Sequence, residues 1–249
     1  MSHRKAKDKL VVPLDVDTVD EARRLFASLR EHAGTFKVGP RLFTSSGPGI
    51  VREIVAAGGR VFLDLKFHDI PTVVAGASRE AARLGVSIFT VHASGGGEML
   101  RRAAEALAET AAREGLERPI MVAVTVLTSS NEETLTETGV RATDAVEQVT
   151  LLARLAARSG ADGVVASPHE IKHVREAVTR PDFRIVTPGV RTQGSAHDDQ
   201  RRVMTPAEAV RAGADFLVVG RSIINAPDPA RAARAVVEEM EQAGEAVVG

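Results

Sequence analysis

The feature that most constrains this chain is an alternation repeated eight times. Short runs of Val, Ile, Leu and Phe are separated by Ala/Arg/Glu-rich stretches of helical character. The runs are Leu10–Asp15, Thr35–Val38, Val61–Lys66, Ile88–His92, Ile120–Val126, Gly163–Ala166, Arg184–Thr187 and Phe216–Val219. Each is short and continuously apolar, as strands buried on both faces are. Helices are expected over Val19–Arg30, Gly49–Ala57, Thr72–Leu84, Gly97–Glu114, Thr143–Ser159, Pro168–Val178, Pro206–Ala212 and Pro229–Ala243. Ser167-Pro168 and Thr205-Pro206 supply an N-cap followed by proline at the first helical position. Gly58, Gly85, Gly115, Gly160 and Gly213 follow expected helix ends. A weak internal repeat, Gly160-Ala161-Asp162 and Gly213-Ala214-Asp215, precedes two of the runs. Eight strand–helix units in 249 residues predict one (β/α)8 barrel domain over 1–249, with 1–9 as a basic tail. A doubly wound open sheet is the alternative, but the first strand ends in Leu14-Asp15-Val16-Asp17, and no GxGxxG or GxxxxGK[ST] occurs.

Composition narrows the chemistry. The chain has no Cys, Tyr or Trp, so thiolate nucleophiles, Cys-ligated metals and phenolic acids are excluded, leaving His, Asp, Glu and Lys. A formal net charge of -1 argues against nucleic-acid or membrane-surface partners. The apolar run after the N-terminal Lys/Arg cluster is too short for a signal-peptide core, so a cytoplasmic location is expected. Only six basic residues are Lys, and beyond the N-terminal ones these are Lys37, Lys66 and Lys172. Arg stays protonated in proteins, whereas a Lys can release its proton. Lysines kept in an Arg-rich chain are therefore candidates for proton transfer.

In such a barrel the active site lies at the C-terminal ends of the strands. Side-chain alternation on the third strand puts Asp64 and Lys66 on one face and Leu63 and Leu65 on the other. With Lys37 from the second strand and Asp69 just beyond the third, an alternating Lys37, Asp64, Lys66, Asp69 array is expected. A structural ion-pair network is the competing reading, although buried pairs are poor stabilisers. Loops after strands 7 and 8 commonly hold phosphate in barrels. Here they offer Arg191, a long polar lid candidate running to Gln200, and Gly220-Arg221-Ser222. A non-catalytic phosphate-binding barrel would use the same arginines.

One motif competes. His169-Glu170-Ile171-Lys172-His173 matches the zinc-hydrolase pattern H-E-x-x-H. Ser167-Pro168 places it in the first helical turn, so it reads as a capped, solvated helix start. His68 and His92 lie near the charged strand ends and read as hydrogen-bonding residues without a chemical role.

Asp64-Leu65-Lys66-Phe67-His68-Asp69-Ile70-Pro71 resembles the DxKxxDIP signature of the orotidine 5′-monophosphate decarboxylase family. Phe36-Lys37-Val38-Gly39, Thr187-Pro188-Gly189-Val190-Arg191 and Val218-Val219-Gly220-Arg221 extend the resemblance in family order over nearly the whole chain. The resemblance implies decarboxylation of orotidine 5′-phosphate to uridine 5′-phosphate, in pyrimidine biosynthesis, without metal or organic cofactor. It implies Lys66 as proton donor to C6, flanked by Asp64 and by Asp69 from a partner subunit, with Lys37 ordering the array and touching the ribose. It further implies Asp15 at a ribose hydroxyl, Thr128 at the base, and Gln200, Gly220 and Arg221 at the phosphate with Arg191 nearby. Pro188, Ile70 and Thr72 complete the substrate-binding set. A site shared in this way requires a homodimer. The chain departs from the pattern after Pro71, where Thr72 comes first and Val73 stands in the usual Thr place. Sugar-phosphate lyases of the same superfamily share the DxKxxD core, but resemble metal enzymes with Glu where this chain has Lys37.

Overall fold

The computed structural model describes residues 5–141, 144–191 and 204–245. Eight parallel strands close into a barrel in sequence order: β1 (Leu10–Pro13), β2 (Thr35–Val38), β3 (Val61–Phe67), β4 (Ile88–His92), β5 (Ile120–Val124), β6 (Gly163–Val165), β7 (Arg184–Pro188) and β8 (Phe216–Val218). Closure is direct, because β1 pairs with β2 on one side and with β8 on the other. The open-sheet alternative is thereby excluded.

The principal helices are α2 (Val19–Leu29), α4 (Gly49–Ala56), α5 (Pro71–Arg83), α6 (Gly96–Glu114), α8 (Ala145–Arg158), α9 (Ile171–Ala177), α10 (Pro206–Ala212) and α12 (Pro229–Glu245). They follow the expected spans to within a few residues. Capping works as the sequence implies: the five stop glycines all have positive φ, from 65° at Gly115 to 104° at Gly213. Thr205 and Glu208 form a reciprocal box, with Glu208 N–H donating to Thr205 Oγ1 at 3.2 Å and Thr205 N–H to Glu208 Oε2 at 2.8 Å.

Four short helices add to the expected set: α1 (Ala6–Lys9), α3 (Pro40–Ser46), α7 (Glu132–Glu137) and α11 (Arg221–Ile224). The basic tail is thus helical from Ala6 and is tied down by Gly34 N–H donating to Lys7 C=O at 2.9 Å. The fifth strand stops at Val124, two residues before its expected end. Its neighbours β4 and β6 end level with it, at His92 and Val165. Thr125 instead donates its hydroxyl to Val165 C=O at 2.8 Å.

The strands are apolar on both faces, as inferred, because they serve two cores. Outward residues such as Leu63, Phe89 and Ile185 pack under the helices. Inward residues Val11, Phe62, Ile88, Val122, Val186 and Phe216 form a separate cluster that plugs the barrel. The internal repeat has a structural meaning at the bottom of the barrel. Asp162 accepts from Met121 N–H at 2.8 Å and pairs with Arg118. Asp215 accepts from Ile185 N–H at 2.8 Å and pairs with Arg175 and Arg184. Each Asp enters one strand while stapling the start of its neighbour.

Candidate active site

Above the apolar plug, a cavity of about 550 Å³ opens at the C-terminal ends of the strands. That size suits one small organic ligand. Its floor is Phe62, Val124, Val186 and Val218, and its rim carries all the charge.

On one side stand Asp15, Lys37, Asp64 and Lys66. Lys37 Nζ lies 3.1 Å from both carboxylate oxygens of Asp15 and 3.7 Å from Asp64 Oδ2. Lys66 Nζ donates to Asp64 Oδ1 at 2.9 Å. The signs therefore alternate along the row. The Lys37 and Asp64 side chains are only 12% and 13% exposed, whereas Lys66 is 34% and Asp15 46% exposed. The inner pair anchors the row, and the two outer groups face the cavity. Gly39 makes room for it: a Cβ there would stand 3.1 Å from Asp15 Oδ1 and from Lys37 Nζ.

Asp64 and Lys66 do share the inner face, with Leu63 and Leu65 on the helix side. Plain alternation is not the whole cause. The pairing of β3 with β4 slips between Leu63 and Phe67, and Lys66 has φ 51°. It is the one non-glycine of the described residues in that left-handed region, a conformation that costs a residue with a Cβ about 1 kcal/mol. The freed Lys66 N–H donates to Thr90 Oγ1 at 2.8 Å, and Thr90 donates to Asp64 Oδ1 at 3.1 Å. Sequence reasoning missed Thr90. The available signal was a hydroxyl in the middle of the apolar run Ile88-Phe89-Thr90-Val91, on the strand beside the charged one.

The stretch of rim that adjoins β1 comes from the loops after β7 and β8. Pro188, Arg191, Gly220 and Arg221 line it, and Thr128 lines a further side. Arg191 and Arg221 bring two guanidiniums here, a donor type suited to an anion. A Cβ on Gly220 would come within 3.0 Å of Pro13 Cγ, so glycine lets this loop lie close against β1. Gln200 and most of the lid candidate lie outside the described residues. Either side of them, Val190 bridges to Met204, and Arg191 N–H donates to Met204 C=O at 3.2 Å.

Three expected site residues are not brought into this cavity. Asp69 is exposed, and its carboxylate accepts from Ile70 N–H at 2.6 Å. The array of Lys37, Asp64, Lys66 and Asp69 is therefore not assembled within one chain; Asp15 takes the fourth place. Ile70 is 62% exposed, and Thr72 is exposed beside a groove that includes Arg79 and Arg101 on α5 and α6. The three cluster on an outward surface with Val73, itself 50% exposed. The turn from β3 into α5 carries them away from the barrel axis.

The histidines fall into two groups. His68 stacks on His92 with ring centroids 5.1 Å apart, and Ser94 Oγ lies 2.6 Å from His92 Nδ1. Burial, with smaller contributions from His68 and Lys66, holds the His92 imidazole below its ordinary pKa. In the H-E-x-x-H segment, Ser167 N–H donates to Glu170 Oε2 at 2.7 Å within a capping box. The cap matches the expectation. The expected solvation holds for His169, Lys172 and His173, which are exposed, but not for Glu170, which is buried and whose carboxyl is pushed up by desolvation. Its carboxylate faces back to the helix start. No group of three or more His, Asp or Glu among the described residues could hold a metal ion.

A closed (β/α)8 barrel with a Lys/Asp row on the rim and arginines after β7 and β8 defines a class of barrels with acid–base and guanidinium groups at the mouth. Comparison narrows the class. The family model described as "Orotidine 5'-phosphate decarboxylase / HUMPS family" matches residues 8–236, and the chain belongs to this family. Relatives named orotidine 5′-phosphate decarboxylase include those of Moorella thermoacetica, 54% identical over 95% of this chain and 93% of the relative, and Geobacter sulfurreducens, 53% identical over 96% and 99%. The crystal structure of orotidine 5′-phosphate decarboxylase from Lactobacillus acidophilus superposes with a TM-score of 0.82 at 36% identity, covering 93% of this chain and 98% of that one. No helix of the described residues is long and apolar enough to cross a membrane.

Proposed function

We propose that this chain is a carboxy-lyase that converts orotidine 5′-phosphate to uridine 5′-phosphate in pyrimidine biosynthesis, using its own side chains and no metal or organic cofactor. The observation that carries the reading is the Asp15–Lys37–Asp64–Lys66 row lining one cavity together with Arg191 and Arg221. Lys37, rather than an acidic residue, in that row favours the pyrimidine enzyme over the sugar-phosphate lyases of the superfamily.

The substrate lies across the cavity. Its phosphate takes the Gly220 N–H and the Arg191 and Arg221 guanidiniums, with Gln200 as a further ligand. Asp15 and Lys37 hold the ribose, and Thr128 and Pro188 bound the base. The pyrimidine C6 then faces Lys66. The bond from C6 to the carboxylate breaks, CO2 departs, and the electron pair stays on C6. That pair cannot spread as an enolate does, so it needs a fixed cation beside it. Lys66 is that cation. A C6–H bond forms as an N–H bond of Lys66 breaks, and the neutral amine is reprotonated from solvent. Asp64, itself paired with Lys37, holds the ammonium in place beforehand, which removes reorganisation from the barrier. Phosphate binding far from C6 supplies energy for closing the site.

We further propose that Asp69, Ile70 and Thr72 act in the partner's site of a homodimer. Exposed Ile70 and Val73 beside Asp69 support this, since adjoining apolar groups on a surface mark association sites.

The test follows the orotate chromophore with purified protein in excess chelator. The reading expects full turnover under those conditions. Activity abolished by chelation and restored by a divalent cation points instead to the metal-dependent relatives. Phosphate-ligand binding without turnover points to a non-catalytic barrel.

A further inference from the structure

We infer that Thr90 is a positioning residue for the Lys66/Asp64 pair, a reading that rests on the proposed decarboxylase function. Thr90 is fully buried in the middle of β4. Its hydroxyl makes two bonds at once, accepting from Lys66 N–H at 2.8 Å and donating to Asp64 Oδ1 at 3.1 Å. A hydroxyl can do both because it carries one proton and two lone pairs. No other partner is needed to satisfy it.

Both bonds bear on the site. The slip between β3 and β4 takes Lys66 out of the regular ladder, and its left-handed backbone turns its N–H away from an ordinary strand partner. Thr90 Oγ1 takes that donor, which would otherwise be left without one in a partly buried position. The second bond fixes the Asp64 carboxylate. Oδ1 receives Thr90 and the Lys66 ammonium together, so Oδ2 is left facing Lys37 at 3.7 Å. One side chain from a neighbouring strand thus sets both the backbone from which Lys66 projects and the carboxylate to which its ammonium is bound. Thr90 does not itself line the cavity, whereas Lys66 and Asp64 do, so its effect passes through them.

The decisive comparison is Thr90→Ser against Thr90→Ala. Both leave nearly the same gap where the methyl group was, and they differ by the hydroxyl alone; Thr90→Val keeps the volume without the hydroxyl. With orotidine 5′-phosphate as substrate, the Ser variant is expected to keep kcat within about threefold of the parent. The Ala and Val variants are expected to lose about 30- to 100-fold in kcat, with KM within about threefold, because displacement of a reacting group acts on the chemical step. Ala equal to Ser in kcat overturns the proposal, as does a loss confined to KM or to the folded fraction measured by circular dichroism. A parent protein that folds but does not turn over orotidine 5′-phosphate overturns the functional reading instead. Positioning is then read without catalysis, from the 13Cε resonances of the chain's six lysines. Lys66 is expected to shift in the Ala variant relative to the Ser variant while Lys172 does not; an unmoved Lys66 resonance overturns the inference.

Discussion

Lys66 Nζ binds Asp64 Oδ1 at 2.9 Å although the two residues leave the same face of one strand, two positions apart. A regular strand would hold them parallel. Here Lys66 has a left-handed backbone instead, and its ammonium reaches the Asp64 carboxylate. The pair sits where the strand stops pairing regularly with β4, at the end of the barrel where ligands bind.

The proposed shared site makes a quantitative prediction. Lys66→Ala and Asp69→Ala proteins are each expected to be nearly inactive. Mixed in equal amounts and allowed to exchange subunits, they should recover about a quarter of parental activity, because half the dimers are hybrids and each hybrid has one intact site. Activity measured against mixing ratio checks this; no recovery despite proven subunit exchange contradicts a site completed by the partner.

Acid lability is expected from His92. Its folded-state pKa lies below the ordinary value near 6.5, chiefly through burial. The unfolded chain therefore takes up this proton first as pH falls. Stability is unaffected by this group above about pH 7, declines as pH drops through the interval below about 6.5, and levels off once the folded imidazole is protonated too. Melting temperature measured from about pH 7.5 to 5 should show this decline, and a His92→Asn protein should show less of it.

Gly163 is expected to tolerate no side chain. A Cβ there would lie 2.2 Å from the Arg184 carbonyl oxygen on the adjoining strand, and backbone cannot rotate away as a side-chain tip can. Gly163→Ala should cost about 3 kcal/mol or more by parting β6 from β7. Gly49→Ala, with nothing within 4 Å, should stay within about 0.5 kcal/mol. Urea denaturation of the two variants makes the comparison.

The bottom staple is structural. Asp215→Ala leaves Ile185 N–H and two guanidiniums, those of Arg175 and Arg184, without their shared carboxylate. A loss of about 2–3 kcal/mol in chemical denaturation is expected, with kcat and KM unchanged at temperatures where the variant is folded. A selective loss of kcat would contradict this assignment.

The barrel was legible because its signals are local and repeated: continuous apolar strands, Ser/Thr-Pro starts and left-handed glycine stops recur along the chain. The short helices α3, α7 and α11 were not legible, being only 7, 6 and 4 residues long and so too brief to display a period. Lys37, Asp64, Lys66 and Asp15 could be read from their places at strand ends. Thr90 was missed, since its partners lie 24 and 26 residues away and only the pairing of β3 with β4 brings them together. Asp69 illustrates the opposite failure. Spacing suggested that it joins Lys66, but the turn after β3 directs its carboxylate to the Ile70 N–H, a local bond that no strand-face argument contains.

The most direct measurement compares the parent with Lys66→Ala in a continuous assay of orotidine 5′-phosphate, alongside uridine 5′-phosphate binding by calorimetry. The account predicts that the variant loses at least about 10³-fold in kcat, through removal of both the fixed cation and the proton source, while product binding falls by no more than about tenfold. A Lys66→Ala protein whose kcat stays within about tenfold of the parent would contradict it.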